Sequence, residues 1–272
     1  MSIKKLCEVI EVSRSGYYKW LRREPSASEL ESERWAKEVK AIFENSHQIY
    51  GVVRMKWAIY RELGLVMNIK KVRRLMRQMG LQSVIRRKRA NYIKSTPLHI
   101  AENIINRDFE ATRPNQKWFT DVSYLKLKNG TTVYISAIID RYDQSIVSYV
   151  IRTRNDNQLV METLKKAFRK NPGATPIIHS DRGFQYTSLE YQRLKSIYKF
   201  EVSMSRVSKC LDNQPIESFF GTLKCEYYNR HTFESVEELV KGVDAYIHFY
   251  LTKRYVPKFN GLTPNEYRKL AA

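Results

Sequence analysis

Three carboxylates and a lysine have the types and spacing to do chemistry in a chain of net charge +20. Asp121 lies in WFTDVSYLKLK, Asp181 in PIIHSDRGFQYTS and Glu217 in DNQPIESFFGTLK, where Lys224 follows seven residues later. Asp181 and Glu217 have 35 residues between them. Carboxylate oxygens drawn from separate elements are hard ligands for Mg²⁺, whose remaining positions suit phosphate oxygens. The chemistry that follows is metal-assisted reaction at a phosphate. Taken singly, each acid has a plainer explanation. An Asp after a strand often forms a turn, a Glu in the first helical turn complements the helix dipole, and an Asp on an alternating strand can face solvent. Jointly these explanations are poor, and Asp140, Asp143 and Asp156 lack comparable settings. His179 has no neighbouring His or Cys, so it reads as structural.

The elements that must carry these groups can be read from pattern. From Lys117 the sequence alternates as a strand bearing Asp121, and Asn129-Gly130 predicts a two-residue hairpin. TTVYISAIID then forms a buried strand, Asp140-Arg141-Tyr142-Asp143 a turn, and QSIVSYVIR a third strand. Residues 157–170 are amphipathic, with Leu159, Val160, Leu164 and Phe168 on one face. A short strand over 175–180 delivers Asp181. Ser188 opens another helix, and FEVSMS is a fifth strand. Asp212-Asn213 is placed to cap the next helix, whose first turn tolerates Pro215 and contains Glu217. Lys224 then lies two turns along the same face. Three antiparallel strands followed by helix, strand, helix, strand and helix is the order of an RNase H-like fold, an α/β core with a mixed five-stranded sheet.

The first part of the chain is different in kind. Residues 2–23 read as two short helices joined at Ser13-Arg14-Ser15-Gly16, either a helix-turn-helix or an ordinary helical hairpin. A helix over about 28–45 sets Leu30, Trp35, Val39, Ile42 and Phe43 near one face. Gly51 opens a further helix that Gly64 stops, and Asn68 caps another with Val72, Leu75, Met76 and Met79 inside. Lys70, Lys71, Arg73, Arg74 and Arg77 cover the outside of that last helix. Residues 52–94 hold 13 Lys/Arg and one acid, Glu62, so the cations cannot be surface ion pairs and phosphate contacts are favoured. A basic cluster, Arg86, Arg87, Lys88 and Arg89, begins a stretch of weak periodicity. The expected division is a helical helix-turn-helix-like region over 1–80, a basic linker over 81–112 and the catalytic core over 113–272.

Three scattered cysteines without a CxxC pair argue against a zinc site or disulfide framework. With no signal-peptide pattern and no membrane-length apolar run, the expected setting is the cytoplasm, without a membrane.

Residues 118–268 resemble the integrase catalytic core of insertion-sequence transposases whose gene is assembled from two overlapping reading frames. The matching stretches are WFTDVSYL, HSDRGFQYTS, DNQPIESFFGTLKCE and GLTPNEYR. The chain resembles the second-frame protein, and HQIYGVVRMKWAIYRELG with KKVRRLMRQMGL is similar to the helical DNA-binding segment of that family. The resemblance implies that Asp121, Asp181 and Glu217 are catalytic metal ligands for two Mg²⁺ ions, with Mn²⁺ able to substitute. It implies that Lys224 contacts DNA near the cut. Strand cleavage would free a 3′-OH at an element end, and strand transfer would join it to target DNA. The implied partners are double-stranded DNA, further copies of the chain on that DNA, and a first-frame protein or fusion. The family pattern S-R-x-G-N-C-Y-D-N is altered at 205–213, where Ser208 replaces the glycine, and Tyr250 is followed by Leu251 rather than asparagine. One rival reading is a DNA-binding accessory or regulatory protein that keeps the core only as a scaffold. Another is a ribonuclease H-type nuclease, against which the basic helices argue.

Duplex affinity is expected to fall by about a thousandfold or more between about 50 and 200 mM salt. Neutralising Arg86, Arg87, Lys88 and Arg89 should flatten that slope in a titration by fluorescence anisotropy. A slope that the substitution leaves unchanged would place the phosphate contacts elsewhere.

Overall fold

The computed structural model describes residues 2–85, 110–181, 183–205 and 213–271. They divide into two compact units, Met1–Gln82 and Ser83–Ala272. Most of the expected linker over 81–112 lies outside the described residues.

The first unit is helical, with α1 (Ile3–Val9), α2 (Arg14–Leu21), α3 (Ala27–Asn45), α4 (Val52–Leu63) and α5 (Ile69–Gln78). Capping explains most of these limits. The Ser13 hydroxyl accepts the Gly16 amide at 3.0 Å, so α2 starts at Arg14 and Gly16 lies inside it. The connection expected at 13–16 therefore falls earlier, at Glu11, whose φ is 53°. Gly64 ends α4 in the left-handed region at φ 68°, a conformation that costs glycine little. Asn68 Oδ1 accepts the Lys70 and Lys71 amides at 2.8 and 3.0 Å, opening α5. Val39, Ile42 and Phe43 of α3 are buried, as are Met55, Ala58 and Ile59 of α4 and Val72, Leu75 and Met76 of α5. Leu30 is exposed and Trp35 half-buried, so among the described residues burial along this face of α3 deepens towards its C-terminal end.

The second unit is a five-stranded mixed sheet of order β3-β2-β1-β4-β5. Its elements are β1 (Lys117–Lys126), β2 (Thr132–Asp140), β3 (Ile146–Arg152), α6 (Asn157–Lys170), β4 (Ile177–Ser180), α7 (Leu189–Tyr198) and β5 (Glu201–Met204). They are followed by α8 (Gln214–Glu226), α9 (Val236–Thr252) and α10 (Pro264–Lys269). β1, β2 and β3 pair antiparallel, whereas β4 pairs parallel with both β1 and β5. This is the RNase H-like arrangement. The β1–β2 hairpin has three loop residues rather than two. Leu127 N–H donates to Thr131 O at 2.9 Å, and Gly130 takes φ 86°. That is a turn followed by a glycine bulge, the other common way to close a right-twisted hairpin. One face of the sheet packs Trp118, Ile138 and Ile178 with Val160, Leu164, Tyr191 and Phe200 into the main core.

A buried ionic knot ties the C-terminal helix to the sheet. Asp140 ends β2 and Asp143 follows in the turn, and both are fully buried. Burial and the neighbouring Asp143 push the Asp140 carboxyl above its ordinary value. Arg268 of α10 offsets this, donating from Nη1 to Asp140 Oδ2 at 3.0 Å and Asp143 Oδ2 at 2.7 Å. Its Nη2 donates to Asn115 Oδ1 at 2.8 Å. Removing the cation leaves two desolvated carboxylates side by side. Arg268→Leu should destabilise the protein by about 3 kcal/mol in urea unfolding at pH 8. The loss should be smaller at pH 5, where a carboxyl of raised pKa can take up a proton.

Candidate active site

Register brings the first two acids together. The β1–β4 ladder ends at Phe119 opposite His179. Continuing both parallel strands by two residues sets Asp121 level with Asp181, just past the end of β4. Neighbouring strands lie about 4.8 Å apart. On its other side Asp121 pairs with Ala137 of β2, so its backbone is fixed by the sheet. Asp181 is held by a short loop in which Gly183 N–H donates to Asp181 Oδ1 at 2.9 Å. A Cβ at Gly183 would come within 3.0 Å of that oxygen and 2.9 Å of Gln185 Oε1, so only glycine fits without a shift. Gln185 Nε2 in turn donates to Asn155 Oδ1 at 2.7 Å, tethering the loop to the start of α6. Beside them, the buried Tyr186 hydroxyl shares a hydrogen bond with Thr120 Oγ1 at 3.3 Å.

Glu217 and Lys224 arrive on α8, and the edge of β1 decides where α8 lies. Beyond Phe119, β1 has lost β4 as a neighbour. Asn213, expected to cap α8, makes no side-chain cap bond. Its Nδ2 instead donates to Thr120 O at 3.1 Å, because that carbonyl is left open where β4 stops. Asp212, the other expected cap, is outside the described residues. Just after α8, the Tyr228 hydroxyl accepts from Lys126 N–H and donates to Lys126 O, both at 2.8 Å. A helix of 13 residues is about 20 Å long, and β1 from Thr120 to Lys126 also spans about 20 Å. The helix therefore runs beside the open strand edge and is pinned to it at both ends. A third anchor is buried: Arg254 donates from Nε and Nη2 to Glu226 at 2.9 and 2.8 Å, and the Tyr246 hydroxyl donates to Glu226 Oε2 at 2.9 Å.

The electrostatics report the result. The Asp121 carboxyl is raised from 3.8 to about 7, first by burial and then by Asp181, with Glu217 adding to the effect. The Val122 amide, donating to Asp121 Oδ1 at 2.8 Å, and Lys224 act in the opposite direction. Burial lowers the Lys224 ammonium, with Asp121 partly restoring it. Its Nζ sits 5.1 Å from the centre of the Tyr124 ring. Three carboxylates and the lysine thus share one field. Among the described residues, however, no three His, Cys, Asp or Glu side chains are close enough to hold a metal ion as they stand. His179 is buried and paired with Ser203 Oγ at 2.9 Å and Ser205 Oγ at 3.3 Å, consistent with a structural role.

Arg73, Arg74 and Arg77 are exposed on α5 in the first unit. Arg86, Arg87, Lys88 and Arg89, and the altered loop over 206–212, lie outside the described residues. Sequence reasoning missed Tyr228 and the Glu226–Arg254 pair and misassigned Asn213. Nothing local marks them, since each acts through a distant backbone or buried partner.

Residues 111–210 match the family model described as integrase core domain, and residues 217–271 match a second model of the same description. Residues 31–89 match the HTH-like domain. The chain is 36% identical over 267 residues to the putative transposase InsK for insertion sequence element IS150 of Escherichia coli, covering 98% of this chain and 93% of that protein. This chain belongs to the integrase-core transposases of insertion sequences. Another relative is the transposase InsF for IS3A of Escherichia coli, 35% identical over 251 residues, with 90% of this chain and 86% of that protein covered. A solved simian T-cell lymphotropic virus intasome shares the fold at TM-score 0.51 and 16% identity, covering 74% of this chain and 67% of that one. As a transposase of this family the chain functions in DNA transposition and integration, through chemistry of the polynucleotidyl-transfer type. The HTH-like match takes in most of α3 and all of α4 and α5, and it leaves out α1 and α2. No helix among the described residues is long and apolar enough to cross a membrane.

The raised Asp121 pKa carries a sign. A carboxyl raised in the folded state favours folding below its unfolded value near 3.8, and that contribution is lost as pH rises through about 7. Asp121→Asn should therefore stabilise the metal-free transposase at pH 8, by about 2 kcal/mol after allowance for solvent screening. The gain should shrink progressively towards pH 4. Thermal unfolding in chelator across that range measures it, and a pH-independent difference would mean that the Asp121 carboxyl is not raised in the folded protein.

Proposed function

We propose that this transposase cleaves DNA strands at the ends of its insertion sequence and joins the freed 3′-OH to target DNA. In this reading Asp121, Asp181 and Glu217 are the catalytic metal ligands. The observation that carries it is the register that sets Asp121 level with Asp181, beside a helix pinned along β1 that bears Glu217 and Lys224; burial, Asp181 and Glu217 raise the Asp121 carboxyl in keeping with it. Concentrated negative charge of this kind, made only of hard oxygens, fits Mg²⁺ or Mn²⁺ and disfavours softer metals. Two such ions would supply activation of the attacking hydroxyl and neutralisation of the leaving oxygen in an in-line displacement.

The chain's own residues do the rest. Asp121, whose carboxyl is raised to about 7, acts as a ligand in its ionised form. Gly183 and Gln185 hold the Asp181 loop, and Asn213 and Tyr228 hold α8 beside the strand. Lys224, on the same face of α8 as Glu217, is placed to pair with a phosphate beside the cut. The exposed cations of α5, with Arg86, Arg87, Lys88 and Arg89, supply sequence-independent grip on the duplex. The division proposed is a DNA-binding helical region over 1–80, a basic linker over 81–112 and the core over 113–272. The working form is an oligomer on DNA in the bacterial cytoplasm, with a first-frame protein or fusion as a further partner.

The test is strand transfer from pre-nicked element-end DNA with Mg²⁺. Glu217→Gln should lower joining by about a hundredfold or more while DNA affinity by anisotropy stays within about twofold. Joining that survives the substitution would remove Glu217 from the site.

A further inference from the structure

The pinning of α8 along β1 has a second product besides the carboxylate cluster. Tyr124 lies three residues past Asp121 on β1, about 10 Å along the strand. It remains 57% exposed, although Trp118, Phe119 and Leu125 of the same strand are buried. Its ring contact is the Lys224 ammonium at 5.1 Å, on the helix that carries Glu217. Among the described residues its hydroxyl has no hydrogen-bond partner. A tyrosine kept for packing would be covered, and one kept for its hydroxyl would be bonded. Here a flat apolar surface is held open beside a cation whose charge is already partly desolvated. Such a pair offers both things a nucleotide presents, since the ring stacks on a base and the ammonium meets a phosphate.

We propose that Tyr124, held against Lys224, is a nucleotide-stacking subsite that seats one unpaired or frayed base of the DNA strand end beside the three carboxylates. The proposal rests on the DNA-end reading above and adds the contact that sets the strand's position along β1. An odd spacing on a strand turns Tyr124 to the side opposite Asp121, so Lys224, which interacts with both, links the ring to the carboxylates across the open edge. The rise of about 10 Å along β1 sets the seated base about three stacked nucleotide steps of 3.4 Å from the reacting phosphate. Lys224 alone would fix a phosphate without fixing the rotation of the strand about it. The ring supplies that second point.

The experiment measures binding of the full chain, in chelator and so without turnover, to a pre-nicked duplex taken from the DNA flanking its own reading frame. The probes carry a single abasic site at each of the terminal nucleotides in turn. Tyr124→Ala should weaken binding to the intact duplex by about five- to a hundredfold, and Tyr124→Phe by no more than about twofold. At one terminal position, loss of the base should weaken wild type by a similar factor and leave Tyr124→Ala unchanged. Wild-type affinity in Tyr124→Ala would overturn the subsite. So would abasic penalties that are the same in both proteins at every position, because the ring would then act only through Lys224. The exposure of Tyr124 makes misfolding of the variant an unsuitable explanation, and matched thermal unfolding curves check this. Failure here leaves the carboxylate reading intact, whereas joining that survives Glu217→Gln sinks that reading with the base coupling unaffected.

Discussion

Beyond Phe119, the edge of β1 is a row of backbone donors and acceptors with no strand to pair them, and buried groups of this kind must find partners. In this transposase core two side chains that flank α8 provide them, Asn213 at Thr120 and Tyr228 at Lys126. The near-equal lengths of the helix and of the open edge let both bonds form without bending either element. Everything placed along α8 is then placed along β1 as well. Glu217, one turn in, faces the level of Asp121, and Lys224, near the far end, reaches Tyr124. The geometry of the site is thus an answer to a hydrogen-bonding problem in the sheet.

The acids and cations of the core are deployed in two opposite ways. Around Asp140 and Asp143 the protein neutralises its own carboxylates with Arg268, and around Glu226 it does so with Arg254. These pairs are buried and hydrogen-bonded, and they join elements far apart in sequence. Around Asp121 no arginine among the described residues plays that part, and the carboxyl rises instead. The same chemistry is satisfied in one place and left unbalanced in another. In the proposed reading, that place takes its counter-charge from outside.

Much of the fold was legible in the sequence because its signals are local. Asn157–Lys170 follows directly from apolar spacing, and Gly64 and Asn68 mark helix limits through local needs that neighbours do not change. The levels of Asp121 and Asp181 were also within reach, since element order fixes which strands adjoin. Asn213 was not. An asparagine before a helix is a good cap on local grounds, and only Thr120, 93 residues away, redirects it. The hairpin at Asn129-Gly130 shows the same limit at short range: the dipeptide predicts a turn, but the number of loop residues depends on which carbonyl Leu127 meets. Leu30 looked like core because periodicity marks a face and cannot say how much of it another helix covers. Tyr124 reads as one more strand aromatic until α8 is in place.

The Arg268 knot also bears on how the protein is made. Asp140 and Arg268 are separated by 128 residues in sequence. During synthesis the sheet can form its hairpins early, but two desolvated carboxylates wait for their partner until α10 has been made. A chain that carried every group of the proposed active site but lacked α10 would still lack the charge that lets the end of β2 close. The stability of the core is thus held by a helix that carries none of the proposed site residues.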